Sequence, residues 1–308
     1  MPFFSVIIPT YNRKDLLKKA LESVWAQSFT DYEVIVVDDG STDGTRECLD
    51  GLRERIRVLD QPNRGPGAAR NLGIEHASGE RIAFLDSDDV WFPWTLAVHH
   101  EASVQGGSPA LTAGKNVLVN FGQHWLPPEV ADLKWEQHGC FFDALNGVTL
   151  PIGGTPSITV KRSVMVNAGG FCEDPINGED TDMWMRLGVE PGFVRILQPP
   201  VFAQTLHETN ITDDCTRAVA GMNFMFLQEE TGRYPGGKRY RRKRVEALAA
   251  TARSVSFHAL YCGRKAEALR IYRRSFAWHL ELRRLRYLAV FPMVVVGLLA
   301  VPSAVPRS

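Results

Sequence analysis

The residues best equipped for chemistry are Asp86-Ser87-Asp88-Asp89, which end the apolar run Ile82-Ala83-Phe84-Leu85. Three carboxylates in four residues repel one another unless positive charge sits among them. Residues two apart on an extended segment share a face, so Asp86 and Asp88 can address one site together. Hard oxygen ligands at the carboxyl end of a strand suit Mg²⁺ or Mn²⁺ carrying a diphosphate. The plain alternative is a polar turn after a strand, with an Asp capping the helix that follows.

Such a cluster needs a scaffold, and the preceding sequence alternates in a way that supplies one. Phe3 to Pro9 reads as a strand with Val6-Ile7-Ile8 at its buried centre, and Thr10-Tyr11-Asn12 as a loop at its carboxyl end. Asp15 to Gln27 reads as a helix, because Leu17, Ala20, Leu21 and Val24 recur at three and four. A second strand, Tyr32 to Val37, ends in Asp38-Asp39-Gly40-Ser41-Thr42, where Ser41 or Thr42 is expected to cap a helix reaching Arg55. A short strand at Ile56 to Leu59, the loop Asn63-Arg64-Gly65-Pro66-Gly67 and a helix from Ala68 to His76 lead into the acid-ended strand. This order predicts an α/β fold, a mainly parallel sheet with helices on both faces. Ligands of such sheets bind outside the carboxyl ends of the strands. Thr10-Tyr11, Asp38-Asp39 and Asp86-Asp88 can therefore line one pocket. No Gly-x-Gly-x-x-Gly follows the first strand and no phosphate loop ends in Gly-Lys-Ser/Thr, which disfavours a nicotinamide enzyme and a phosphate-loop NTPase. Further on, Ala110 to Phe121, Ser157 to Lys161 and Val194 to Val201 read as strands, and Met183, Trp184, Met185 and Leu187 as helix packing.

Four stretches, Val6-Ile7-Ile8-Pro9-Thr10-Tyr11-Asn12, Val36-Val37-Asp38-Asp39-Gly40-Ser41-Thr42-Asp43, Ala69-Arg70-Asn71-Leu72-Gly73 and Phe84-Leu85-Asp86-Ser87-Asp88-Asp89, resemble in order and spacing the family 2 glycosyltransferases. The resemblance runs from Phe3 to His207 and implies the GT-A fold, Rossmann-like, with a nucleotide-diphosphate sugar as donor. It implies that Asp88 binds a divalent metal, Mn²⁺ or Mg²⁺, and that Asp86 meets the ribose, or the metal through water, with Ser87 beside them. Asp38 or Asp39 would accept a hydrogen bond from the base, commonly uracil. Pro9, Thr10 and Tyr11 would pack on the nucleotide, and Arg70 would meet the nucleotide or its diphosphate. Gly178-Glu179-Asp180-Thr181-Asp182-Met183-Trp184 is similar to the segment carrying the catalytic base, which makes Asp180 the base and Glu179 its orienting neighbour. His207 would complete the metal site. Each has a bland reading: capped turns for the aspartates, a solvated arginine, acid favoured by a helix N-terminus and a structural histidine. Acceptor contacts are expected between Gly122 and Pro151, where no motif is found.

The chain has 308 residues, 44% hydrophobic and 23% charged, with no net formal charge. That suits one large domain, 1–212, with an appendage, 213–308, of basic helical character. Charge is uneven: from Arg233 onward 17 Lys and Arg face only three Glu, which points to an anionic partner surface. Tyr287 to Pro306 is uncharged, yet its apolar core, interrupted by Pro292, falls short of the roughly 20 residues of a spanning helix. A peripheral or re-entrant membrane contact is the expectation, with a last helix packed on the body as the alternative. Nucleic acid is not expected as a partner, since the basic stretches lack interleaved aromatics. Five scattered cysteines argue against a zinc site or disulfide framework and fit a reducing compartment. The amino terminus has no signal-peptide pattern, which places the body in the cytoplasm, at the inner face of the membrane.

Together these expectations describe an inverting, metal-dependent glycosyltransferase that moves a sugar from a nucleotide diphosphate, UDP by preference, to a hydroxyl of a saccharide or lipid-linked glycan in cell-surface polysaccharide biosynthesis. Two other readings stay open: a sugar nucleotidyltransferase, and a non-catalytic protein that binds sugar nucleotides or membranes.

Overall fold

The computed structural model describes residues 1–120, 128, 130–145, 152–206 and 214–299. Packing divides the chain into two units. The first comprises Met1–Ala144, Pro151–Asp174 and Val189–Glu208; the second comprises Leu145–Leu150, Pro175–Gly188 and Thr209–Ser308.

The first unit begins β1 (Phe4–Thr10), α1 (Lys14–Trp25), β2 (Tyr32–Asp38), α2 (Thr45–Asp50), β3 (Arg57–Asp60), α3 (Pro66–His76) and β4 (Arg81–Phe84). It continues with β5 (Val90–Trp91), α4 (Thr95–Gln105), β6 (Leu111–Ala113), β7 (Asn116–Asn120), β8 (Lys134–His138), α5 (Phe141–Ala144), β9 (Ile158–Lys161) and α6 (Arg162–Asn167). In the second unit α7 (Glu179–Arg186) follows, and β10 (Phe193–Gln198) and β11 (Phe202–Leu206) return to the first. The large sheet has the order β3-β2-β1-β4-β9-β6-β10-β8, and a small one has β5-β11-β7.

All seven residues of β1 are buried, as a strand flanked by parallel neighbours and covered on both faces requires. Phe4, Val6 and Ile8 share one core with Leu17, Ala20, Leu21 and Val24 of α1. Ile7 points to the opposite face, where a Cβ on Gly73 of α3 would lie 2.5 Å from its side chain. Helices thus cover both faces. Beyond β4 the sheet becomes mixed: β9 runs antiparallel to β4 and β6, and β10 is parallel to β6 but antiparallel to β8.

Three sequence expectations are corrected. The single strand over Ala110 to Phe121 is two strands in different sheets, β6 and β7. The chain passes between them at Gly114, where a Cβ would lie 2.6 Å from Val201. The strand over Val194 to Val201 likewise ends at Gln198, and β11 starts at Phe202. The helix expected to reach Arg55 stops at Asp50, and neither Ser41 nor Thr42 caps it. Its N-cap is Gly44 at φ 86°, a left-handed conformation suited to glycine. The Asp43 carboxylate accepts the Thr45 N–H at 3.0 Å, while the Ser41 hydroxyl accepts the Asn12 N–H at 2.9 Å.

Arg81, at the start of β4, is fully buried. Its guanidinium donates to the Thr159 hydroxyl and to the carbonyls of Pro109, Ala110 and Thr159. Burial lowers its pKa to about 10.

The second unit is helical among its described residues: α7, α8 (Cys215–Glu230), α9 (Gly237–Tyr261), α10 (Lys265–Glu281) and α11 (Leu285–Val295). Asp214 caps α8 by accepting the N–H groups of Thr216 and Arg217. A buried ion pair, Arg244 to Glu229 at 2.7 Å, ties α9 to α8. Phe291 of α11 stacks on Tyr272 of α10 at 4.8 Å, so one face of α11 is packed. Among the described residues no helix is long and apolar enough to cross a membrane.

Candidate active site

The carboxyl ends of β1, β2 and β4 lie side by side because the strands are parallel and in register, Thr10 opposite Asp38 and Ile7 opposite Phe84. Asp86 to Asp89 leave β4 at this edge. The helix after them begins only at Thr95, so none of them caps it, although Ser87 and Asp88 do form a turn closed by the Asp89 N–H to the Asp86 carbonyl at 3.0 Å. Each acid has its own partner. Asp88 pairs with Arg13 at 2.6 Å, and Asp86 with the buried Arg70 at 2.7 Å. Asp89 accepts the Thr205 N–H of β11 at 2.9 Å, which moors the acidic loop to the small sheet. Burial, reinforced by Asp88 and Asp86, pushes the Asp89 carboxyl well above its usual range, which favours its protonated form. Ser87 is buried between the two paired aspartates in sequence.

Arg70 is positioned from both sides. Its guanidinium lies 5.3 Å from the centroid of the Phe171 ring, which in turn meets Phe84 edge-on. Next to Arg70 on α3, Asn71 accepts the Phe171 N–H and donates to its carbonyl. Close approach explains the glycines of these two segments. A Cβ on Gly67 would lie 2.1 Å from the Cys172 carbonyl, and one on Gly170 2.4 Å from the Asn71 side chain.

Asp38 and Asp39 are both buried and do different work. Asp39 accepts the Gln61 amide at 2.7 Å and the N–H groups of Arg64 and Gly65 at 2.8 Å each, which shapes the loop leading to Arg70. Asp38 accepts only the Ser41 N–H at 3.1 Å among the hydrogen bonds of its side chain to described residues. Pro9 lies within β1 opposite Val37. The Thr10 hydroxyl is buried with no hydrogen-bond partner among the described residues, and Tyr11 is exposed. His207 lies outside the described residues, as do residues 122–127, 129 and 146–151 of the stretch assigned to acceptor contacts.

Sequence reasoning missed Arg13 and Asn12. The signal was a cation directly after the first-strand loop. Asn12 adopts φ 51° and accepts the Thr42 N–H at 2.7 Å, joining the ends of β1 and β2.

In the second unit Glu179, Asp180 and Asp182 all fall in the first turn of α7, where the helix dipole favours acid. Asp182 is 1% exposed, pairs with Arg186 at 2.8 Å and accepts the Tyr234 hydroxyl at 3.1 Å. Burial and this carboxylate push the Tyr234 phenol far up. Asp180 is half-buried, and its carboxylate accepts the N–H of Thr181 at 2.6 Å. Met183, Trp184, Met185 and Leu187 are buried, as their packing role requires.

The donor chemistry at the sheet edge fits a small hard cation. Two carboxylates, Asp86 and Asp88, leave the other coordination positions to diphosphate oxygens and water, the usual mode for Mg²⁺. The two arginines supply the positive charge that this acid cluster requires.

Comparison with known proteins agrees with this geometry. The family model "Glycosyl transferase family 2" matches residues 5–107. The succinoglycan biosynthesis protein ExoW of Rhizobium meliloti is 47% identical over 145 residues, 44% of this chain and 43% of that protein. The chain spans half or less of the length of the first curated relatives it matches. S. aureus TarS 1-349 in complex with UDP-GlcNAc superposes with a TM-score of 0.57 at 18% identity, covering 90% of this chain and 92% of that one. The mannosyltransferase PcManGT from Pyrobaculum calidifontis, in complex with GDP-Man and Mn²⁺, gives 0.51 at 19% identity, covering 96% and 87%. The acid-ended central strand, its parallel neighbours and the matched sequence coincide in one region: residues 5–107 match a family 2 glycosyl transferase domain, within a fold like that of these transferases.

Proposed function

We propose that this chain transfers a sugar from a nucleoside diphosphate, UDP by preference, to a hydroxyl of a saccharide or lipid-linked glycan, with inversion, in the synthesis of a surface polysaccharide. The observation that carries this reading is the pairing of Asp86 and Asp88 with two arginines from different elements at the carboxyl edge of the sheet. Cations and carboxylates held together there can accept a diphosphate and a divalent ion at once.

The nucleotide would lie over the ends of β1 and β2, with Asp38 receiving an imide N–H of the base and Tyr11 offering a ring face. Its ribose would meet Asp86 and Ser87. Asp88 and Asp86, with His207, would hold Mn²⁺ or Mg²⁺, which supplies Lewis-acid stabilisation of the departing diphosphate. Arg13 and Arg70, loosened from the carboxylates as these take up the ion, are suited to the phosphate oxygens. Asp180 would take the acceptor proton, with Glu179 beside it; a carboxylate in this role must reach the hydroxyl that attacks.

Contact with an anionic membrane is part of the same reading. Lys238, Arg239, Arg241 and Arg242 are exposed at the start of α9. On α11 and just after it, Leu285, Met293, Val296 and Leu298 remain exposed while Tyr287 and Phe291 are packed. A body on the cytoplasmic side, touching the membrane through these residues, would reach a lipid-linked acceptor. Deletion of residues 287–308 should then reduce flotation with anionic vesicles. Unchanged flotation would remove α11 from this role.

The test of the reaction is thermal stabilisation by UDP, GDP, dTDP and CDP with and without Mn²⁺, followed by product analysis with sugars of the stabilising nucleotide. A metal-dependent shift with one nucleotide and a glycosylated product support the proposal. Binding with release of pyrophosphate would assign a nucleotidyltransferase, and no shift with any nucleotide would assign a non-catalytic role.

A further inference from the structure

The five cysteines carry no paired spacing in sequence, yet the second unit gathers two of them. Cys215 is the first residue of α8, and Cys262 immediately follows α9. His258 lies one turn before Cys262, and the Cys262 N–H donates to the His258 carbonyl at 3.0 Å. A spacing of four puts both side chains on the same helix face. The sulfurs of Cys215 and Cys262 and a ring nitrogen of His258 all lie within 4.8 Å of one another. An ion about 2.3 Å from each sulfur and about 2.0 Å from the nitrogen can bridge groups so disposed.

We infer that Cys215, His258 and Cys262 form a binding site for a borderline-soft divalent cation of the Zn²⁺ class, separate from the carboxylate edge and independent of the transferase reading. Two thiols and an imidazole select such an ion over Mg²⁺ or Mn²⁺, which prefer oxygen. Burial and the neighbouring Cys262 push the Cys215 thiol up, and Arg264 opposes them. Cys215 occupies the positive end of a 16-residue helix. The Arg264 guanidinium donates to its sulfur and to the neighbouring Thr216 hydroxyl, and is itself held by Glu267. Cys262 is exposed, which gives the ion an entry path and leaves a fourth coordination position for water. Binding displaces one proton from each thiol and changes no oxidation state. The ion would clamp the start of α8 to the end of α9, so its affinity would add to the stability of the helical unit.

Co²⁺ titration of the full chain under reducing conditions tests this. Expected is one equivalent bound with thiolate-to-cobalt charge-transfer absorption, displaced by Zn²⁺, retained in Asp88→Ala and lost in Cys262→Ser, whose exposed position leaves the fold intact. Zn²⁺ should raise the melting temperature of the wild type and not of Cys262→Ser or Cys215→Ser. The inference fails if no charge-transfer band forms, if the band survives Cys262→Ser, or if mass spectrometry of the protein isolated without added oxidant shows Cys215 and Cys262 joined as a disulfide.

Discussion

Asp86-Ser87-Asp88-Asp89 and Glu179-Asp180-Thr181-Asp182 look alike on paper, three acids in four residues each, and the fold treats them differently. At the end of β4 the acids meet cations brought from elsewhere in the sequence, Arg13 and Arg70, while the third takes a backbone N–H from a distant strand. At the start of α7 the helix itself supplies the positive environment, and Asp182 pairs with Arg186 one turn along the same helix and with Tyr234 from beyond it. An acidic run therefore states where negative charge is available, and the partners decide which carboxylate is structural. On the proposed reading Asp89 and Asp182 are anchors, while Asp86, Asp88 and Asp180 meet the ligands.

The largest effects should separate the two runs by function. Asp180→Asn should lower transfer by about 10²–10⁴-fold, the usual contribution of a general base, while the nucleotide-induced thermal shift stays intact. Asp88→Ala should remove both transfer and the metal-dependent part of that shift. If Asp180→Asn turns over normally, the contrast collapses on the α7 side.

Next in size is the anchor of the second run. Asp182→Ala should destabilise the chain by about 1–3 kcal/mol in chemical denaturation, because it takes away the acceptor of the buried Tyr234 hydroxyl. A stable but inactive Asp182→Ala would instead move Asp182 into the chemistry.

The smallest effect belongs to Asp89. Asn is isosteric with a protonated Asp and keeps an oxygen for the Thr205 N–H, so Asp89→Asn should change stability by less than about 0.5 kcal/mol in mild acid. The sign of the pH dependence sharpens this. Asp89 holds its proton when folded and loses it near pH 3.8 when unfolded. Its contribution is thus full below that pH and fades as pH rises through the folded value. The Asn variant should lose this slope and gain on the wild type toward neutral pH.

The scaffold was legible because its elements obey local rules. The period of Leu17, Ala20, Leu21 and Val24 and the apolar runs of β1, β2 and β4 depend on nothing beyond their own burial. The acid positions were legible for the same reason, each following a strand. What stayed hidden depends on distant contacts. Nothing near Gly114 shows that Val201 will lie against it and divide one apolar stretch between two sheets. Asp39 looks like a base reader in sequence, and only the fold shows that Gln61, Arg64 and Gly65 also donate to it. Arg13 is adjacent to a recognised loop, yet its partner lies 75 residues away. The grouping of Cys215, His258 and Cys262 exists only once α8 and α9 pack.

Arg81 has a consequence for how the first unit folds. Its guanidinium loses its hydration shell when β4 enters the sheet, and every replacement oxygen comes from residues 109, 110 and 159. A half-assembled sheet containing only β1 to β4 would leave that cation dehydrated and unsatisfied, or keep the strand wet and loosely held. The parallel half therefore gains its last strand only together with β9 and the turn into β6. This couples the parallel half of the sheet to the remainder as one cooperative unit, and slowest amide exchange in β1 and β4 should report the opening of the whole.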